Sequence, residues 1–279
     1  MKIIVANWKM NHGFDDIDDW IEGFYKAYGD NLQNNNSVET ILCPPTVLLD
    51  YIDSQMIEDG FHFLEYIAHK QNREFDDFNA DEVIKYVYES RPLTLGAQDC
   101  GCEDSGQYTG DISAKLLKEV NCKYVIIGHS ERRRIYSESN DMVMKKAMNA
   151  IKNEITPIIC VGEPREIRDE GRHFDFIRQQ IAKSVPLVKY KKIILAYEPI
   201  WAIGTGLTAD IAQITEMTNF IRQVFTNEVA NFFTEFHVIY GGSVNSSNSK
   251  DILSIKGVDG LLVGKASLQI DEFSKILLS

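Results

Sequence analysis

The chain is punctuated by short, nearly continuous apolar runs, of the kind expected from strands buried on both faces of a parallel sheet. Eight stand out: residues 2–6, 40–43, 93–97, 124–127, 157–161, 192–197, 237–240 and 260–263. Between them lie segments whose apolar residues fall on one helical face, such as Ile17, Trp20, Ile21 and Phe24, or Val143, Ala147, Ala150 and Ile151. Strand and helix alternate from end to end, which predicts right-handed βαβ units. Eight such units in 279 residues predict an α/β fold of the closed (β/α)8 type, one domain over 1–279.

An open doubly wound sheet is the rival arrangement, but no Gly-x-Gly-x-x-Gly follows the first run. The unusual residues favour the barrel. Asn7, Gln98, His129, Glu198, Gly241 and Gly264 each fall at or just beyond the end of a run, on the face where barrels of this class gather their chemistry.

One connection is longer than a crossover helix requires. Residues 50–92 hold no strand-like run, and Ile52, Met56 and Ile57, then Val83, Ile84 and Val87, have helical spacing. The segment predicts an extended helical excursion between strands 2 and 3, broken at Gly60 and over 70–79. Eleven acidic side chains against four basic ones give it more than half of the net charge of −12. A solvated acidic face is the favoured reading, and a partner-docking appendage is the other.

Composition narrows the function. With 29 basic and 41 acidic side chains, the chain has no general electrostatic grip on nucleic acid or anionic lipid, so an anionic ligand must be held locally. Cys43, Cys100, Cys102, Cys122 and Cys160 form no disulfide spacing and, with no histidine cluster near Cys100 and Cys102, no metal site. A reducing compartment fits. No apolar run approaches membrane-spanning length and none resembles a signal peptide, so the expected location is cytoplasmic.

Three strand ends carry candidate chemistry. Glu198 ends an apolar run and precedes Pro199, Trp201, Ile203, Gly204 and Gly206: a carboxylate base beside a segment able to close and exclude water. His129 follows Gly128 and precedes Ser130, Glu131, Arg132 and Arg133. At a helix start, backbone N–H groups disfavour a charged imidazole, so a neutral ring can donate to a substrate oxygen. Ser130 suits an N-cap and Glu131 the helix dipole. Asn7 and Lys9 end the first run, and two late glycine turns, Gly241-Gly242-Ser243 and Gly264-Lys265, can aim bare amides at one phosphate.

Taken together, Asn7-Trp8-Lys9-Met10-Asn11, Gly96-Ala97-Gln98, Tyr108-Thr109-Gly110, Gly128-His129-Ser130-Glu131-Arg132-Arg133, the segment 197–206, Tyr240-Gly241-Gly242-Ser243-Val244 and Val263-Gly264 resemble the triosephosphate isomerase family, in that family's order and over nearly the whole chain. The resemblance implies a TIM barrel that interconverts dihydroxyacetone phosphate and D-glyceraldehyde 3-phosphate through an enediol(ate), with neither cofactor nor metal. It implies Glu198 as the base, His129 as a neutral electrophile, Lys9 and Asn7 as stabilisers of the substrate oxygens, and Glu131 beside them. Gly204, Gly242, Ser243, Gly264 and Lys265 would hold the phosphate. Thr109 and Gln98 match contacts between the subunits of a homodimer.

The chain departs from the family's pattern at four places. Lys265 replaces the second glycine of the last phosphate turn; with φ below zero its N–H stays available, and its ammonium is expected to point to solvent, approach to the phosphate being the other reading. Leu207, Gln107 and Asp99 stand where lysine, alanine and asparagine are common. A non-catalytic or otherwise specialised phosphosugar-binding barrel is the alternative, against which the joint presence of Lys9, His129 and Glu198 argues.

Overall fold

The structure is a computed structural model that describes residues 1–27, 38–84, 87, 91–202 and 208–279. Eight strands, β1 (Lys2–Asn7), β2 (Val38–Cys43), β3 (Leu93–Ala97), β4 (Tyr124–Ile127), β5 (Thr156–Val161), β6 (Tyr190–Tyr197), β7 (Phe233–Tyr240) and β8 (Gly260–Val263), pair in parallel in chain order. β8 pairs back with β1 and closes the barrel. Each predicted run lies within or coincides with one of these strands, because a run with no polar face has to be covered on both sides. Alternate residues take the two sides. Ile3, Val5, Ile41, Ile126, Ile158, Ile194 and Ile239 fill the interior, while Ile4, Ala6, Leu42, Val125, Ile159 and Leu195 meet the surrounding helices.

Those helices are α1 (Phe14–Ala27), α2 (Leu49–Gln71), α3 (Ala80–Ile84), α4 (Ala114–Glu119), α5 (Ser130–Ile135), α6 (Asn140–Lys152), α7 (Arg165–Asp169), α8 (His173–Ser184), α9 (Ile211–Glu228), α10 (Ser249–Leu253) and α11 (Ile270–Leu277). The predicted stripe of α1 is buried at Ile17, Trp20, Ile21 and Phe24. Starts are set by side-chain caps: Ser139 accepts the N–H of Met142 ahead of α6, and Asp210 forms a reciprocal capping box with Gln213 ahead of α9.

The excursion between β2 and β3 is helical, as its spacing predicts, but Gly60 does not break it. α2 runs unbroken through that position. A Cβ on Gly60 would lie 3.0 Å from the backbone of Val87, so the glycine is there for close packing of two segments. The helix instead ends at Asn72, which adopts the left-handed conformation that asparagine tolerates. Leu64, Ala68, Phe78 and Val87 form a small core of their own. Asp53 pairs within the excursion with Arg91 at 2.7 Å and ties it to the barrel by accepting from the Asn121 side chain at 2.7 Å.

Candidate active site

β1, β4 and β6 end on the same side of the barrel, and their C-terminal residues set the site. Asn7, Lys9, His129, Ser130, Glu131, Glu198, Gly241, Gly242, Ser243, Gly264 and Lys265 line one cavity of about 820 Å³. Residues more than 250 positions apart in the sequence are thus brought to one place by barrel closure alone.

Glu198 is fully enclosed, and its carboxylate is held at both oxygens. Oε1 lies 3.0 Å from Nε2 of His129, and Oε2 accepts the Ser130 N–H at 2.8 Å. Burial by itself would raise this carboxyl, but His129, the Ser130 N–H and Lys9 outweigh it and hold the group below its ordinary value. Its backbone is fixed by the neighbouring strand: a Cβ on Gly162 would come within 1.7 Å of the Glu198 carbonyl oxygen. Only glycine fits there.

The local structure of His129 differs from expectation in one respect. His129, not Ser130, is the N-cap of α5, its Nδ1 accepting the N–H of Glu131 at 3.2 Å. An imidazole can take this role because its unprotonated nitrogen reaches the second amide as a serine oxygen would. With Nδ1 an acceptor, the proton of the neutral ring sits on Nε2, facing Glu198. Burial opposes a charge on the ring, while the Glu198 carboxylate and hydrogen bond outweigh that and raise the histidine's pKa. The helix start alone would keep the ring neutral, but the Glu198 carboxylate 3.0 Å away favours its charged form.

Lys9 has a left-handed backbone, φ 53°, which costs a non-glycine residue about 1 kcal/mol or more. The conformation is held by three contacts. Its N–H donates to Oδ1 of Asn7 at 3.0 Å, its carbonyl accepts from Nε2 of Gln98 at 2.8 Å, and its ammonium meets Oε1 of Glu131 at 2.7 Å. Glu131 therefore pairs with Lys9 as well as standing in the first turn of α5. Gln98, matched to a subunit contact, bonds within its own chain, to Lys9 and to the Cys43 carbonyl. Thr109 lies in an exposed loop away from the cavity lining.

The two glycine turns line the same cavity as α5. A Cβ on Gly242 would overlap the Tyr240 hydroxyl at 2.1 Å, so the chain can make that turn only without a side chain. Lys265 opens a short 3-10 turn after Gly264 and is absent from the residues with positive φ, as the sequence reading expects. Gly204 lies outside the described residues.

One residue escaped the sequence reading. Glu163, just beyond β5, has a wholly buried side chain whose Oε1 accepts from Nε1 of Trp201 at 3.0 Å and the Tyr197 hydroxyl at 3.1 Å; Arg168 lies 3.1 Å away. It anchors the root of the segment after Glu198. The available signal was its place, a carboxylate following Val161-Gly162 at a strand end. Among the described residues no cluster of histidine, cysteine and carboxylate groups could hold a metal ion.

Comparison with known proteins agrees with this geometry. The family model described as triosephosphate isomerase matches residues 2–73 and 77–279. The triosephosphate isomerases of Dictyoglomus turgidum and Aquifex aeolicus are 37% and 36% identical to the chain, each over 100% of it and 99% of their own length. The crystal structure of triosephosphate isomerase from Bartonella henselae superposes with a TM-score of 0.76 at 30% identity, covering 99% of this chain and 97% of that one. With a family match over nearly every residue and the buried carboxylate, imidazole and lysine gathered at one barrel mouth, the chain belongs to the triosephosphate isomerase family.

Proposed function

We propose that this cavity interconverts dihydroxyacetone phosphate and D-glyceraldehyde 3-phosphate by proton transfer, with Glu198 as the base. The observation that carries the reading is the 3.0 Å contact between His129 Nε2 and Glu198 Oε1 inside a closed-in barrel mouth. A base and a hydrogen-bond donor side by side are what moving a proton between adjacent carbons requires. Glu198 takes the carbon-bound proton and returns it to the neighbouring carbon. The Nε2–H of His129 polarises the carbonyl and moves protons between the two substrate oxygens. Lys9 and Asn7 offset the charge that develops on those oxygens, and Glu131 holds the ammonium of Lys9 in place.

The phosphate is held by the amides of Gly242, Ser243, Gly264 and Lys265, with Gly204 from the segment after Trp201. The arrangement fits a dianion because turn amides carry no counter-charge that must first be displaced. We read 1–279 as one domain, with the 50–92 excursion fastened to it through Asp53.

The same reading extends to a homodimer. The loop after β3 exposes Tyr108 and Ile112, and the following helix exposes Leu116; with Thr109 also exposed in that loop, this surface suits a second copy of the chain. Free cysteines at all five positions suit a reducing compartment, and we place the protein in the cytoplasm. No helix among the described residues is long and apolar enough to cross a membrane.

The test is a coupled assay on purified protein with D-glyceraldehyde 3-phosphate, run also in deuterium oxide. Turnover with solvent deuterium entering the carbon skeleton is expected; absence of turnover would overturn the reading. Sedimentation at micromolar concentration checks the dimer, which a monomer at every concentration would exclude.

A further inference from the structure

The cavity carries charge that proton transfer does not use. Its lining includes three cationic side chains, Lys9, Arg134 and Lys265, and three carboxylates, Glu131, Glu198 and Glu272. Four of the six are committed: Lys9 pairs with Glu131, Glu198 meets His129, and Glu272 accepts the Ser246 N–H at 2.8 Å. Arg134 and Lys265 are both exposed, and the ion pairs and hydrogen bonds among the described residues leave both out.

Their positions are set by the backbone. Arg134 stands on α5 at i+3 from Glu131, so the two emerge on one helical face and reach the same cavity. Lys265 follows Gly264, whose bare Cα lies against the Lys9 stem; a Cβ there would be 3.6 Å from Lys9 Cε. The two uncommitted cations thus line the cavity from different elements, and Lys9 touches a neighbour of each, Glu131 on α5 and Gly264 before Lys265. Without them the lining would carry a surplus of two negative charges, on a chain whose net charge is −12. A phosphate monoester dianion would then enter against repulsion.

We propose that Arg134 and Lys265 form a cationic rim that draws the substrate's phosphate dianion into the cavity, setting the rate of capture and leaving the chemical step to Glu198 and His129. Charge at a cleft mouth can change association rates by about 10- to 1000-fold, and salt screens it. The inference rests on the isomerase reading above, and it assigns the Lys265 ammonium a part beyond its backbone N–H.

The experiment measures kcat/KM for D-glyceraldehyde 3-phosphate from low to high sodium chloride in wild type, Arg134→Gln, Lys265→Gln and the double variant, with circular dichroism to check folding. At low salt the double variant should lose about tenfold in kcat/KM, with kcat lowered far less, and the gap should close as salt rises. The binding constant of inorganic phosphate, from calorimetry, should weaken in the same order and with the same salt dependence. A double variant with wild-type kcat/KM at every salt concentration would overturn the rim. So would a loss that salt does not reduce, or one that falls equally on kcat. If the wild type shows no turnover, the isomerase reading fails separately, and the phosphate titration alone decides the rim: unchanged affinity refutes it.

Discussion

Nε2 of His129 and Oε1 of Glu198 stand 3.0 Å apart, and each partner is steadied on its far side by a backbone N–H of α5: Ser130 for the carboxylate, Glu131 for the imidazole. One short helix therefore orients both groups of the proposed proton transfer.

The first prediction concerns pH. Burial alone would raise the Glu198 carboxyl, and His129 is the largest of the influences that lower it. In His129→Gln the burial remains while the ring is gone, so the base should protonate at higher pH. The acid limb of kcat should move upward, and kcat itself should fall by about 10²- to 10⁴-fold. A pH–rate profile checks both; an acid limb left in place would contradict the coupling.

Asp99 gives a prediction about stability. Its carboxylate lies 2.8 Å from both Lys146 and Arg132, yet burial pushes it up to about 6, with the neighbouring Glu138 adding repulsion. Lys146 is raised by the same cluster because it faces two carboxylates, whereas Asp99 shares its cations with Glu138. A carboxyl whose folded pKa exceeds its unfolded value contributes stability that is full below pH about 4 and lost as pH rises through about 6. Asp99→Asn removes this titrating group together with its two ion pairs, so the stability of the variant relative to wild type should rise as pH is raised from 4 to 8. Urea unfolding at the two pH values measures it; a stability difference that stays flat or moves the other way with pH would contradict the sign.

Glu163 collects Trp201, Tyr197 and Arg168 at one oxygen. Glu163→Gln leaves Arg168 without that charge and should cost about 1–3 kcal/mol. The root of the segment after Glu198 should loosen, lowering kcat and changing Trp201 fluorescence on phosphate binding. Unchanged fluorescence and kcat would show that the contact does not reach the site.

Two glycine substitutions contrast local space. Gly162→Ala drives a methyl into the Glu198 carbonyl, whereas a Cβ on Gly13 meets nothing within 4 Å. The first should destabilise by about 3 kcal/mol or more, or cut kcat by displacing Glu198; the second should do neither. Thermal melts and kcat for the pair decide.

The barrel was legible because its strands are covered on both faces and so read as continuous apolar runs, and the site because barrel closure puts every strand end on one rim. What the sequence left unread depends on through-space packing. Gly60 looks like a helix break until Val87 is seen against it. Ser130 looks like the cap until the His129 ring is seen to reach the Glu131 amide. Glu163 looks like any strand-end carboxylate until three donors are found around it. Arg134 sits among basic neighbours, Arg132 and Arg133, that point elsewhere: Arg132 toward Asp99 and Glu138, Arg133 toward the Gly128 carbonyl.

The most direct measurement of the central claim is kcat for D-glyceraldehyde 3-phosphate in Glu198→Gln against wild type, both confirmed folded. Glutamine keeps the shape and removes the base, so kcat should fall by about 10³-fold or more. Turnover of Glu198→Gln at the wild-type rate would contradict the assignment of Glu198 as the group that moves the proton.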